Sequence, residues 1–220
     1  MKTLSKRILG SVAIVLFAGL IVTLRAKDVP PAGAPANAPA ARHADPHDAP
    51  KVSAESALKR LVDGNERYIS AKAERPNQNS DRRVEVAKGQ HPFAIVLACA
   101  DSRVSPEVVL DQGLGDLFVV RLAGNVVSDE AIASIEYAAA HLGSSLVVVL
   151  GHQKCGAVKA TMDVVLKGEH PHGNIAFLVD AIRPAVVRAK GLPGDLLDNA
   201  IKVNALLMVD EIKRTPRCAR

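Results

Sequence analysis

Residues 93–103 read F-A-I-V-L-A-C-A-D-S-R, six apolar positions that run straight into Cys99, Asp101 and Arg103. An unbroken apolar run of strand length that ends in polar residues reads as a strand buried on both faces. Two similar runs follow, F-V-V-R-L at 118–122 and S-L-V-V-V-L at 145–150. Around them the period turns helical. A brief helix opens at Ser105-Pro106-Glu107, a longer one runs from Asp129 to Leu142 and stops at Gly143, and others occupy about 154–167, 175–190 with Pro184 inside, and Asp195 to Lys213. Ahead of the first strand, Ala57, Leu58, Leu61, Val62, Tyr68 and Ile69 form one helical stripe behind a Ser53 cap. Continuously apolar strands alternating with helices predict an α/β fold, a mainly parallel central sheet flanked by helices on both faces.

The chain has 220 residues, enough for one sizeable core and too few for two ordinary catalytic domains. Its charge of +5 is misleading as a sign of a nucleic-acid partner. Lys2, Lys6, Arg7 and Arg25 lie in the first 26 residues, which hold no acid, and the rest of the chain is nearly balanced. With no Trp, two Tyr, four Phe and no basic cluster interleaved with aromatics, nucleic-acid binding is disfavoured. Three cysteines make no disulfide framework and point to other work for the thiols.

Residues 1–27 read as a targeting segment, with Lys2, Lys6 and Arg7 ahead of an uncharged run from Ile8 to Leu24. That run fits a cleaved signal peptide and an uncleaved signal anchor alike. Residues 28–50, rich in Pro and Ala and nearly devoid of large apolar groups, read as a linker; His43 and His47 beside Asp45 and Asp48 belong to a solvated tether. Residues 51–220 remain as the folded domain. The order predicts an exported, periplasmic protein, tethered to the inner membrane if the segment is not cleaved, with membrane contact only through that segment.

In a parallel sheet, ligands collect beyond the carboxyl ends of the strands. The first strand ends in Cys99-Ala100-Asp101-Ser102-Arg103 and the third in Gly151-His152-Gln153-Lys154-Cys155-Gly156. Two thiols and an imidazole on one edge make the nitrogen and sulfur set that zinc prefers, and three protein ligands leave a tetrahedral ion one open position. Other candidates carry less. Ser102 lacks the pattern of a hydrolase nucleophile, His141, His170 and His172 read as surface histidines rather than proton shuttles, and Cys218 reads as a free thiol.

C-A-D-S-R at 99–103 and G-H-x-x-C-G at 151–156, some 50 residues apart, closely resemble the paired signatures of the β-class carbonic anhydrases. The resemblance extends through GNERY at 64–68, RLAGN at 121–125 and IEYA at 135–138. It implies Cys99, His152 and Cys155 as ligands of one Zn2+ per chain, and Asp101 and Arg103 as a catalytic dyad. It further implies Gln90, Phe118, Ala123, Tyr137 and Gly156 as substrate-pocket residues. The implied reaction is the reversible hydration of carbon dioxide to bicarbonate and a proton by zinc-bound hydroxide. The implied assembly is a homodimer or higher homo-oligomer with pockets at the subunit boundary, so that Gln90, Phe118 and Tyr137 serve across it. The chain departs from the family pattern after Lys213, where nothing resembles the usual final strand. That departure predicts a weaker assembly, and it keeps open the alternative of a catalytically silent zinc-binding scaffold of the same fold.

Export is directly testable: a reporter active only after export, fused behind the full chain, is expected to give signal. Activity confined to the cytoplasm would overturn the targeting reading.

Overall fold

The structure is a computed structural model that describes residues 52–215. The targeting segment, the linker with His43 and His47, and Cys218 lie outside the described residues. Three strands, β1 (Ala94–Cys99), β2 (Leu117–Leu122) and β3 (Val147–Leu150), form one parallel sheet in the order β2-β1-β3. Seven helices accompany them among the described residues: α1 (Ala54–Ile69), α2 (Ser80–Val86), α3 (Pro106–Val109), α4 (Asp129–His141), α5 (Gly156–Lys167), α6 (Ile175–Ala189) and α7 (Leu196–Arg214). The predicted fold class holds.

β1 is central and every residue in it is buried. Its side chains alternate between two cores, as the period of a strand requires. Ile95, Leu97 and Cys99 join Ile135 of α4, Val158 of α5, Ile182 and Val186 of α6, and Ala200 and Met208 of α7. Ala94, Val96 and Ala98 face the other way, onto Ala57 and Leu61 of α1 and Leu110 after α3. Helices thus cover both faces, more thickly on the side to which Cys99 points.

The register aligns the strand ends. Cys99 pairs with Leu122 of β2, and Ala98 pairs with Leu150 of β3. Whatever follows each strand therefore emerges on one edge of the sheet.

Local chemistry accounts for the boundaries. Ser53, Ser128 and Asp195 accept backbone N–H bonds at the starts of α1, α4 and α7, satisfying groups that a helix leaves free. β3 begins at Val147 rather than Ser145, because the hydroxyls of Ser144 and Ser145 bond the carbonyls of Pro92 and Val52. The α1 stripe is narrower than its apolar pattern: Ala57, Leu61 and Gly64 are buried, whereas Leu58, Val62 and Ile69 are largely exposed. The reason lies at Gly64, where an added Cβ would meet the Leu110 carbonyl, so α1 lies closest to its neighbours along that row. α2 carries no buried residue, is capped by Asn79 and has no counterpart in the sequence reading.

Two buried carboxylates secure the stretch between α1 and β2. Asp111 accepts from Arg67 Nε and from the backbone N–H groups of Glu74 and Arg75, and Asp116 accepts from Asn77 and Gly113. Asp111 is pulled below the ordinary carboxylate range by these partners despite the opposing effect of burial.

Candidate metal centre

At the aligned strand ends, one sulfur or nitrogen ligand atom from each of Cys99, His152 and Cys155 lies within 4.8 Å of the others. Cys99 is the last residue of β1, and His152 is the second residue beyond β3. Cys155 is the residue that opens α5, reached through Lys154 in a left-handed conformation at φ 55°. The two Sγ atoms are 4.0 Å apart. Two sulfurs on one tetrahedral zinc, each at about 2.3 Å, would be about 3.8 Å apart. His152 Nδ1 pairs with the Gln153 carbonyl at 2.9 Å, while its Nε2 is buried with no hydrogen-bond partner. A carbonyl on Nδ1 fixes the tautomer that leaves Nε2 as a lone pair for a metal. The donor set, its spacing and this orphaned nitrogen fit zinc.

The thiols are prepared for deprotonation. Donation from Cys155, helped by the backbone N–H groups of Asp101 and Gly124, holds the Cys99 thiol well below the ordinary thiol range against the effect of burial. Cys155 keeps the shared proton and is buried, so it is pushed far up, although the N–H groups of Val158 and Ala157 at the start of α5 favour its thiolate. The pair releases one proton readily. A cation bound between the sulfurs would take the place of the second proton.

Asp101 and Arg103 form a forked ion pair, Nε to Oδ1 at 2.9 Å and Nη2 to Oδ2 at 2.7 Å. The Arg103 side chain, and then its backbone N–H, hold the Asp101 carboxyl well below its usual range. Arg103 Nη2 also bonds the Lys154 carbonyl at 3.2 Å, which ties the loop after β1 to the loop that carries His152 and Cys155. Asp101 Oδ2 stands 3.9 Å from His152 Nε2, at the border of the cluster.

The described residues divide the expected site into two groups. Ala123 follows β2 at the same sheet edge, and Gly156 opens α5 with clear space where a Cβ would stand. Gln90 is exposed ahead of β1, so the length of that strand, roughly 16–20 Å, separates it from Cys99. Phe118 pairs in register with Ile95, far below Cys99, and its ring lies 6.4 Å from that of Tyr137. Gln90, Phe118 and Tyr137 are therefore not brought to this chain's own cluster. Ser102, His141, His170 and His172 are exposed.

One contributor opens the RLAGN stretch but was given no role by the sequence. Arg121, near the end of β2, donates to the carbonyls of Cys99 at 2.9 Å, Asp101 at 2.6 Å and Val104 at 3.3 Å. It clamps the whole loop that bears Cys99 and the dyad. Its partners are backbone oxygens, which no residue pattern advertises.

The carbonic anhydrase family profile matches residues 94–219. The chain belongs to this family. It is 44% identical over 138 residues to carbonic anhydrase 2 of Mycobacterium tuberculosis strain H37Rv, covering 63% of this chain and 67% of that protein. The same identity and coverage hold for a carbonic anhydrase of Mycolicibacterium smegmatis. Among solved structures, a Coccomyxa β-carbonic anhydrase in complex with acetazolamide superposes with a TM-score of 0.57 at 27% identity, over 74% of each chain. The sheet flanked by helices is thus a β-carbonic anhydrase fold, and its strand ends carry a Cys-His-Cys cluster compatible with zinc binding.

Loss of one thiolate should empty this centre. Cys155→Ser is expected to leave the protein with less than a tenth of the zinc bound by the parent after dialysis, because a neutral hydroxyl is a far poorer ligand than thiolate. Full zinc retention measured by elemental analysis would remove Cys155 from the site.

Proposed function

We propose that this carbonic anhydrase interconverts carbon dioxide and bicarbonate with one zinc held by Cys99, His152 and Cys155. The observation that carries the reading is the placement of the Asp101–Arg103 fork at the border of a cluster of three ligand atoms, a number that leaves a tetrahedral ion one open position. Zinc bound there supplies an acidified water as the nucleophile for carbon dioxide.

The chain's own residues supply the rest. Asp101 accepts the hydrogen bond of the nucleophile and turns its lone pair towards the carbon. Arg103 keeps that carboxylate ionised and, by occupying both oxygens, keeps it off the metal. Ala123, just beyond β2, and Gly156, with no atom within 4 Å of where a Cβ would stand, put small residues on the loops that flank the cluster, as an uncharged substrate needs. Arg121 holds the Asp101 carbonyl, which fixes the loop from which the carboxylate projects.

The same reading makes the working form a homodimer or higher homo-oligomer. Gln90, Phe118 and Tyr137 lie away from this chain's cluster, and Tyr137 is 49% exposed. They complete a pocket when a second copy presents its own set to the boundary. The proposed organisation is a targeting segment over 1–27, a linker over 28–50 and the catalytic domain over 51–220, with the domain delivered to the periplasm or held at the inner membrane. Among the described residues no helix is long and apolar enough to cross a membrane.

Stopped-flow hydration of carbon dioxide by the zinc-loaded chain tests the reading. Turnover well above the buffer rate is expected, and Asp101→Asn is expected to keep zinc while losing more than tenfold in rate, since an amide is a poorer acceptor and cannot pair as an ion with Arg103. No turnover by a fully zinc-loaded parent would overturn the reading, and an unchanged rate in the variant would reduce the dyad to a structural ion pair.

A further inference from the structure

Three buried side-chain polar atoms among the described residues have no hydrogen-bond partner: His152 Nε2, Asn125 Nδ2 and Asn204 Oδ1. The first belongs to the metal centre. Asn125 belongs to the turn of residues 123–125 that follows β2, Asn204 bonds that turn, and the turn also reaches the metal centre. The backbone N–H of Gly124 points at Cys99 Sγ, 3.2 Å away. Gly124 is held at φ 71°, where an added Cβ would come within 2.6 Å of Ile182 Cδ1, so the turn has no freedom to accept a side chain there.

The other side of the same residue is gripped from α7. Asn204 Nδ2 donates to the Gly124 carbonyl at 2.8 Å, and one turn further along the helix Met208 Sδ accepts the Val127 N–H at 3.2 Å. Asn204 is completely buried on a helix face whose neighbours Ala200, Ile201 and Met208 are core residues. A buried amide with one atom unsatisfied is a poor choice for packing alone. Its single bond goes to the residue that addresses a metal ligand.

We propose that Asn204 is a positioning residue of the metal centre: by holding the Gly124 carbonyl it fixes the Gly124 N–H on the Cys99 sulfur, and so sets how much electron density that thiolate gives the metal. The inference rests on the zinc reading above. A hydrogen bond to a ligating sulfur draws density away from the metal and leaves the ion a stronger Lewis acid, and partners one shell out commonly change metal affinity by about 10–100-fold. This matters in a site with two thiolates, whose charge already offsets that of the ion.

The test uses the full chain with cobalt in place of zinc, so that the thiolate-to-metal charge-transfer band reports on the sulfur directly. Asn204→Leu removes the donor at similar volume. It is expected to move the band to longer wavelength and to change the rate of zinc loss to a chelator by about tenfold or more. Thr161→Val is the control: Thr161 is equally buried, its hydroxyl bonds only the Ala157 carbonyl within α5, and the band should stay in place. A folded Asn204→Leu protein with an unmoved band and an unchanged rate would overturn the proposal and leave Asn204 as core packing. The parent loaded with cadmium-113 tests the link without substitution. A scalar coupling between the Gly124 amide proton and the metal is expected, and its absence would equally overturn the proposal. A parent cobalt protein with no charge-transfer band at all would instead show that the zinc reading itself has failed.

Discussion

The pairing of β1 between β2 and β3, in parallel and with their carboxyl ends level, is the constraint on which the site depends. Cys99, Leu122 and Leu150 end their strands within one residue of each other in register, so the three loops that follow share one edge. Because side chains alternate along a strand, a slip of one residue would turn Cys99 from the α5 and α6 side to the α1 side, away from Cys155. The metal centre is therefore specified by the hydrophobic pattern of β1. Ile95 and Leu97 bury themselves against α4, α5 and α6, and that choice carries Cys99 to the same face.

Charge is managed around this point by backbone as much as by side chains. Cys99 accepts the Gly124 N–H at 3.2 Å, and the backbone N–H groups of Asp101 near Cys99, and of Ala157 and Val158 at the open end of α5 near Cys155, favour the thiolates further. These donors favour thiolates without adding a formal charge. Arg103 and Arg121 then bind the ligand loops together through carbonyls of Lys154, Cys99, Asp101 and Val104, so that loop geometry is fixed by cations that do not themselves face the metal. Their guanidinium groups suit the task, since a planar fork can hold several oxygens at once. Asp101 remains committed to Arg103 by two bonds, which leaves its carboxylate beside the cluster rather than in it.

The parts of this arrangement that were legible in sequence are those carried by residue type next to a strand end. Cys99, His152, Cys155, Asp101 and Arg103 stand at the exits of two unmistakable apolar runs, and topology alone then brings them together. Arg121 and Gly124 stand in the quoted RLAGN stretch, yet their roles and that of Asn204 were not legible, because their partners are a sulfur and backbone oxygens far away in sequence. Nothing in the spacing of Asn204 distinguishes it from an ordinary helical polar residue until the Gly124 carbonyl is seen 2.8 Å away. α2 escaped for a different reason: with no buried face it leaves no periodic apolar trace. Gln90, Phe118 and Tyr137 were named by family resemblance, yet the run of β1 separates them from their own chain's cluster, a separation that a list of matching positions cannot express.

The central claim is a metal centre with two thiolates, one imidazole and one non-protein position. X-ray absorption at the zinc edge of the loaded chain tests it most directly. The account predicts two sulfurs at about 2.3 Å and two lighter atoms at about 2.0–2.1 Å, one of which is exchanged when an anion such as azide is added. A shell with one sulfur or three, or a four-ligand shell that azide leaves unchanged, would contradict it.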